Sequence, residues 1–157
     1  MFNFIHMNEL YKAISIAKQA HANQKDKAGA DYIHHPMRVM DAGKTTDEKI
    51  VGVLHDVIED SEWTFDMLKE EGFSIEVLDA LKCLTKLSED EPYEQFIDRV
   101  KSNPLAIAVK LNDISDNMDI RRLPELTDND VIRIKKYLKA YNDLLNHSLV
   151  SSKGIIR

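Results

Sequence analysis

Apolar residues recur along this chain at intervals of three and four, the spacing that lines one face of an α-helix, and no stretch keeps the alternation of a strand. A cap at Asn8 is followed by ELYKAISIAKQAHANQ, in which Leu10, Ala13, Ile14, Ala17 and Ala20 share a face. KDKAGADYIHHP then reads as a loop punctuated by Gly29, and Pro36 suits the first turn of a second helix, PMRVMDA, which stops near Gly43. Thr46 or Asp47 can cap a third helix running unbroken through DEKIVGVLHDVIED. Thr64 and Ser74 look like caps for TFDMLKEEG and SIEVLDALKCLTK, while Pro92 opens PYEQFIDRVK. Pro104 starts LAIAVKLNDISDNM, and TDND precedes the long VIRIKKYLKAYNDLLNHSLV. The expectation is an all-α, compact single-domain bundle of about seven or eight helices over residues 1–150, with 151–157, SSKGIIR, as a loose tail.

Composition supports that reading and removes some functions. At 157 residues the chain fits one domain, and five glycines with four prolines leave little material for turn-rich β architecture. A formal charge of −6 argues against nucleic acid as a partner, because binding to phosphate backbones relies on clustered Lys and Arg. Cys83 is the single cysteine and sits on the apolar stripe of VLDALKCL, where it reads as a small core residue. The N-terminal MFNFIHMNEL lacks the basic start and long apolar run of a secretory signal, and nothing approaches a membrane span. A cytoplasmic protein, monomer or homodimer, is expected.

One segment breaks the amphipathic rule. In VLHDVIED, Ile50, Val51, Val53, Leu54, Val57 and Ile58 fall on one arc of the third helix, with His55, Asp56, Glu59 and Asp60 on the other and Gly52 amid them. A solvated face would mix Lys or Arg with its acids at i,i+4; here three carboxylates and an imidazole have no cation beside them. A divalent ion would neutralise them, and Gly52 would leave room beside it. Further ligands must then come from elsewhere. His35 sits before a proline at a loop-to-helix corner, and Lys110, Asp113 and Asn117 form a polar window beside the apolar seam of Ile107, Leu111, Ile114 and Met118. Taken singly, His35 reads as a capping or surface residue and Asp113 as a solvated acid; it is their combination with the HD pair that points to a site.

Together these segments resemble a known family. The order H...HD...D, carried by His35, His55, Asp56 and Asp113, resembles the HD superfamily of metal-dependent phosphohydrolases. AHANQKDKAGADYIHHP is similar to the AHxxQ...GxPYIxHP segment of the Rel/Spo alarmone hydrolases, VLHDVIEDS to their LLHDxxEDT, VKLNDISDNM to their VKLADxxxNM, and Arg133 to Tyr137 to the RxxxY element of their small stand-alone members. The resemblance implies that His35, His55, Asp56 and Asp113 bind one ion, typically manganese (Mn2+). It implies that Glu59 and Asp60 orient and deprotonate the attacking water, and that the nucleotide substrate is (p)ppGpp or a close analogue, cleaved at its 3′-pyrophosphate; the alternatives are a phosphohydrolase acting on another nucleotide and a nucleotide-binding module with little turnover. Asn117, Arg133 and Tyr137 match substrate-contacting positions of the family, with Lys25, Lys27 and Lys110 as local cations. No histidine lies between residues 57 and 112, which favours a single ion. Asp26 stands where the family commonly has an arginine thought to stack on guanine, and Asp31 replaces a proline, a change expected to loosen the loop.

Overall fold

The computed structural model describes residues 2–153, with side chains described from Asn8 to Ser151. Every regular element among them is helical: α1 (Phe2–Ala20), α2 (His34–Ala42), α3 (Thr46–Leu54), α4 (Val57–Asp60), α5 (Phe65–Glu70), α6 (Ile75–Leu84), α7 (Tyr93–Val100), α8 (Pro104–Asn117), a 3-10 turn (Ile120–Arg122) and α9 (Asp128–Lys153). The only β-type pairing among the described residues is an isolated bridge between Lys25 and Asp31. Counting α3 and α4 as the two halves of one expected helix returns the eight segments read from the periodicity.

Local chemistry starts most of these helices where the sequence says it should. The side chains of Thr64, Ser74 and Asn103 accept from the backbone N–H of Met67, Val77 and Ala106, each satisfying a donor that the first helical turn leaves open. Pro104 occupies the first turn of α8, where its missing N–H costs nothing. The cap of α3 is Thr45, one residue before the expected pair, and it accepts from Glu48 N–H at 3.1 Å. Two expected boundaries are corrected. Asn8 lies inside α1, which starts at Phe2, so the helix needs no cap at that position. Ser151 to Lys153 continue α9 and are not tail; residues 154–157 lie outside the described residues, as does the side chain of His6.

α3 is the axle of the bundle. It packs against α1, α2, α6 and α8, and Ile50, Val51, Val53 and Leu54 are sealed from solvent on all sides. At about 25 cal/mol per Å2 of apolar surface removed from water, such residues contribute roughly 1.5–3 kcal/mol each, so α3 is held by packing more than by its nine-residue propensity. Gly52 belongs to this packing. A Cβ there would lie 3.2 Å from the backbone N and Cα of Met40, so the bare backbone lets α2 lie directly on α3. The room expected beside a metal site is therefore filled by a neighbouring helix.

Candidate active site

The helix expected to run through VLHDVIED breaks at its polar pair. α3 ends at Leu54 and α4 begins at Val57, leaving His55 and Asp56 in a turn, with Asp56 at φ −101°, ψ −5°. On a continuous helix these adjacent side chains would diverge by about 100°; the break turns both inward. His55 Nδ1 donates to the carbonyl of Gly52 at 2.7 Å, which fixes the ring and leaves Nε2 as the lone-pair nitrogen. That Nε2 lies 3.0 Å from Asp56 Oδ2 and 3.6 Å from Asp113 Oδ1.

His35 enters from α2. Its Nε2 lies 3.1 Å from Asp113 Oδ1 and 3.7 Å from Asp56 Oδ2, and the two imidazole rings meet edge to face with centroids 5.2 Å apart. His35, His55 and Asp113 are buried, and Asp56 is half-buried. Two separated parts of the chain therefore bring ligand atoms of His35, His55 and Asp56 within 4.8 Å of one another, and a third sets the Asp113 carboxylate against both imidazoles.

The donor set fits a cation. His55 Nε2 is buried without a hydrogen-bond partner, although it faces carboxylate oxygens. A lone pair aimed at two carboxylates is repulsive unless a proton or a metal ion lies between them. Without an ion, protons take that role. Burial opposes a charged His55, but Asp56 and Asp113 outweigh it and hold its pKa well above the ordinary value. Burial likewise works against His35, whose hydrogen bonds to Asp113 and Asp116 carry its pKa upward. The Asp56 carboxyl would rise on burial, yet the charge of His55 pulls it below the usual carboxylate range. Asp113 follows the same logic, with Lys110 as the main counter-charge.

A second layer pins these groups, and sequence reading missed most of it. His35 Nδ1 donates to Asp116 Oδ2 at 2.6 Å, and Arg38 holds the same carboxylate through Nε at 2.7 Å and a second nitrogen at 3.0 Å. Arg122 approaches Asp116 Oδ2 at 3.3 Å. The Tyr32 hydroxyl donates to Asp56 Oδ2 at 2.6 Å. Asp116 lies three residues after Asp113 and Arg38 three after His35, so each shares a helix face with its partner. That spacing was the available signal.

The other expected residues fall into distinct places. A cleft of about 250 Å3 opens over His35 and is lined also by Lys25, Lys27, Asn117, Arg122 and Arg133. Asn117 donates to Asp113 Oδ1 at 2.6 Å, and Arg133 reaches Asp130 at 3.1 Å. Lys110 is turned away from the cleft: its ammonium lies 2.7 Å from Asp113 Oδ2 and 4.8 Å from the centroid of Phe96. Tyr137, half-buried on α9, lies 6.2 Å from the Tyr93 ring. Glu59 and Asp60 are exposed at the end of the HD turn. Glu59 Oε1 accepts from the backbone N–H of Lys86 at 2.6 Å, and partial burial together with the charge of Asp56 pushes Asp60 up from the ordinary carboxylate value. Asp26 also lines the cleft, and its Oδ1 accepts from the N–H groups of Ala28 and Ala30, each at 2.9 Å. Asp31 pairs with Lys25 across the loop, so this substitution ties the loop down and does not loosen it.

No protein-family model matches the chain. A guanosine-3′,5′-bis(diphosphate) 3′-pyrophosphohydrolase of Aquifex aeolicus is 32% identical over 124 residues, 72% of this chain and 18% of that protein. The protein of the same name from Haemophilus influenzae is 35% identical over 116 residues, 66% of this chain and 17% of its own. The pyrophosphohydrolase MESH1 of Danio rerio is 35% identical over 68 residues, 38% of each chain. The chain thus spans less than a fifth of the length of these two bacterial relatives. A solved structure, described as a metazoan ortholog of SpoT that hydrolyzes ppGpp, superposes with a TM-score of 0.73 over 90% of both chains at 22% identity. The all-α fold is that of this structure, and the resemblance read from the sequence extends to these relatives. No helix among the described residues is long and apolar enough to cross a membrane.

Proposed function

We propose, from that kinship and the converging side chains, that this chain is a metal-dependent hydrolase of the 3′-pyrophosphate of (p)ppGpp or a close analogue. The observation that carries the reading is the meeting of His35 Nε2, His55 Nε2 and the Asp56 and Asp113 carboxylates from α2, the HD turn and α8. These four would hold one divalent ion, with manganese as the reading for its identity, since mixed imidazole and carboxylate ligands suit such ions. When bound, the ion would acidify a water and polarise a phosphoryl oxygen.

The chain's own groups do the rest. Asp116 keeps the His35 proton on Nδ1, and the Gly52 carbonyl keeps the His55 proton on Nδ1, so both Nε2 atoms present lone pairs. Asp60, whose pKa is raised, and Glu59 beside it are the carboxylates that orient the attacking water and take its proton. Water oxygen bonds to the phosphorus attached to the ribose 3′-oxygen and that P–O bond breaks, the departing 3′-oxygen taking up a proton; the products from ppGpp are pyrophosphate and a nucleoside 5′-diphosphate. Asn117, Arg133 and Tyr137 bind the nucleotide from the α8 and α9 side, with Lys25 and Lys27 at the loop rim and Lys110 acting through Asp113. The protein works in the cytoplasm as a monomer or homodimer in this reading.

A wider base range has one specific support: the Asp26 carboxylate is committed to its own loop and offers no stacking plane. A panel of ppGpp, ppApp, NADPH and deoxynucleoside monophosphates, run with manganese-loaded protein, tests both readings. Pyrophosphate from ppGpp supports the first; orthophosphate alone, from any substrate, contradicts it.

A further inference from the structure

His21 follows the last residue of α1 and is 2% exposed. Its tautomer is fixed by its neighbours. The carbonyl of Asp60 can only accept, so the Gln24 amide turns its Nε2 toward that carbonyl, donating at 2.8 Å, and its Oε1 toward His21. That oxygen can also only accept, so His21 Nδ1 carries the proton and donates to it at 2.8 Å. His21 Nε2 is left as a lone pair, buried and without a hydrogen-bond partner among the described residues.

A buried imidazole with one nitrogen unmet costs free energy that an apolar side chain of similar size would avoid. What the ring contributes beyond packing therefore lies at Nδ1. The contact it makes there leads to the end of the HD turn. Asp60 closes α4, a four-residue helix whose last carbonyls have no partner inside the helix. Its N–H donates to the carbonyl of Asp56 at 3.0 Å, and the Gln24 amide takes its carbonyl. Gln24 also serves the start of the turn: its backbone carbonyl accepts from Tyr32 N–H at 2.9 Å, and the Tyr32 hydroxyl holds Asp56. A grip on the backbone of Asp60 decides where its carboxylate stands, which matters for a group that must meet a water at hydrogen-bond distance.

We propose that His21, acting through the side-chain amide of Gln24, is a positioning residue for Asp60. The inference rests on the hydrolase reading for what Asp60 does, whereas the grip on Asp60 is defined without any substrate. His21 touches none of the reacting atoms. It holds the Gln24 amide in the one orientation that donates to the Asp60 carbonyl, and without it the amide is free to turn over. The role belongs to Nδ1 alone, so a neutral side chain with an N–H at that place fulfils it and an N–H at the place of Nε2 does not.

Hydrogen exchange at the Asp60 N–H, followed by NMR against the core amides of Val53 and Leu54, reads the grip without substrate, and ppGpp turnover reads its consequence. His21→Leu should speed exchange at Asp60 about tenfold relative to the core amides and lower kcat about tenfold, with KM and manganese affinity kept within about twofold, the scale of one hydrogen bond. His21→Asn, whose amide nitrogen falls at the place of Nδ1, should recover most of both losses; His21→Gln, whose nitrogen falls at the place of Nε2, should recover neither. Gln24→Glu still accepts from His21 but meets the Asp60 carbonyl with a second acceptor. It should match His21→Leu from a half-buried position, which keeps the test in force if His21→Leu does not fold. Unchanged relative exchange at Asp60 in Gln24→Glu, faster exchange with kcat kept, or equal recovery by His21→Asn and His21→Gln overturns the positioning role. Absence of ppGpp turnover by the wild type would instead overturn the hydrolase reading, and the exchange rates would still decide whether His21 and Gln24 hold Asp60.

Discussion

The ligand cluster and the cleft beside it share a wall, formed by His35, Asp116 and Asn117, yet they are held by different means. In the cluster every side chain is fixed twice. His55 is gripped by Gly52 and faces Asp56, while His35 is gripped by Asp116 and faces Asp113; the helices behind them are sealed core. The cleft's outer rim is a loop, closed by the Lys25–Asp31 pair and by Asp26 turned onto its own backbone. Replacing a cluster residue leaves buried charge without its partner, whereas replacing a rim residue gives up a solvent-screened contact. On the proposed function, chemistry would rest on the part of the fold least able to change, and substrate preference on the part most able to.

The largest effect should come from Asp56→Ala, which removes a proposed metal ligand and the acceptor for Tyr32. Pyrophosphate release from ppGpp should fall by about a thousandfold or more, and equal turnover by wild type and variant would break the contrast at its strongest point. Glu59→Gln should reduce turnover by about a hundredfold, the scale of a general base, with the melting temperature nearly kept because an amide oxygen still accepts from Lys86. Asp116→Ala should lower manganese affinity about tenfold to a hundredfold, as loss of an outer carboxylate does, with Asp116→Asn between the two; calorimetric metal titration reads this without any substrate.

Acid and base work the cluster in opposite senses. His35 and His55 have raised pKa values in the metal-free fold, so their contribution is present below about pH 6.5 and is lost as pH rises through the folded values. Asp56 and Asp113 are depressed, so theirs is present above about pH 4 and is lost as pH falls through the folded values. Metal-free protein should thus melt highest between about pH 4 and 6.5, and the rise in melting temperature on adding manganese should grow from pH 6 to pH 8. A rise that shrinks over that range would mean that the ion does not replace the imidazole protons. The smallest effect belongs to the rim: Asp26→Arg should sharpen the preference for ppGpp over ppApp a few-fold, while costing about 1 kcal/mol of stability through the two loop N–H groups left without an acceptor.

Helix positions were legible in the sequence because they depend on short-range rules. Thr64, Ser74, Pro104 and Gly43 mark ends through contacts within four residues, and these are visible in a one-dimensional string. The break after Leu54 was not legible, since Val57 and Ile58 keep the apolar period running through it. Only the pull of His55 and Asp56 toward partners on other helices shows why the chain turns there. The same limit hid the role of Gly52, whose reason is the backbone of Met40. Lys110 read as a cation for substrate although the acid that engages it, Asp113, lies only three residues on; the string does not show that the pair is buried against Phe96. Outer contacts such as Arg38–Asp116 join residues 78 positions apart, beyond any periodicity.

That bare backbone at Gly52 reaches further than packing. α2 carries His35 and α3 leads into His55, so the missing methyl group governs the bite between two imidazoles that it never touches. Gly52→Ala would wedge the helices apart and should register as a weaker grip on manganese before any loss of helical content, a lesion in coordination chemistry made entirely of carbon and hydrogen.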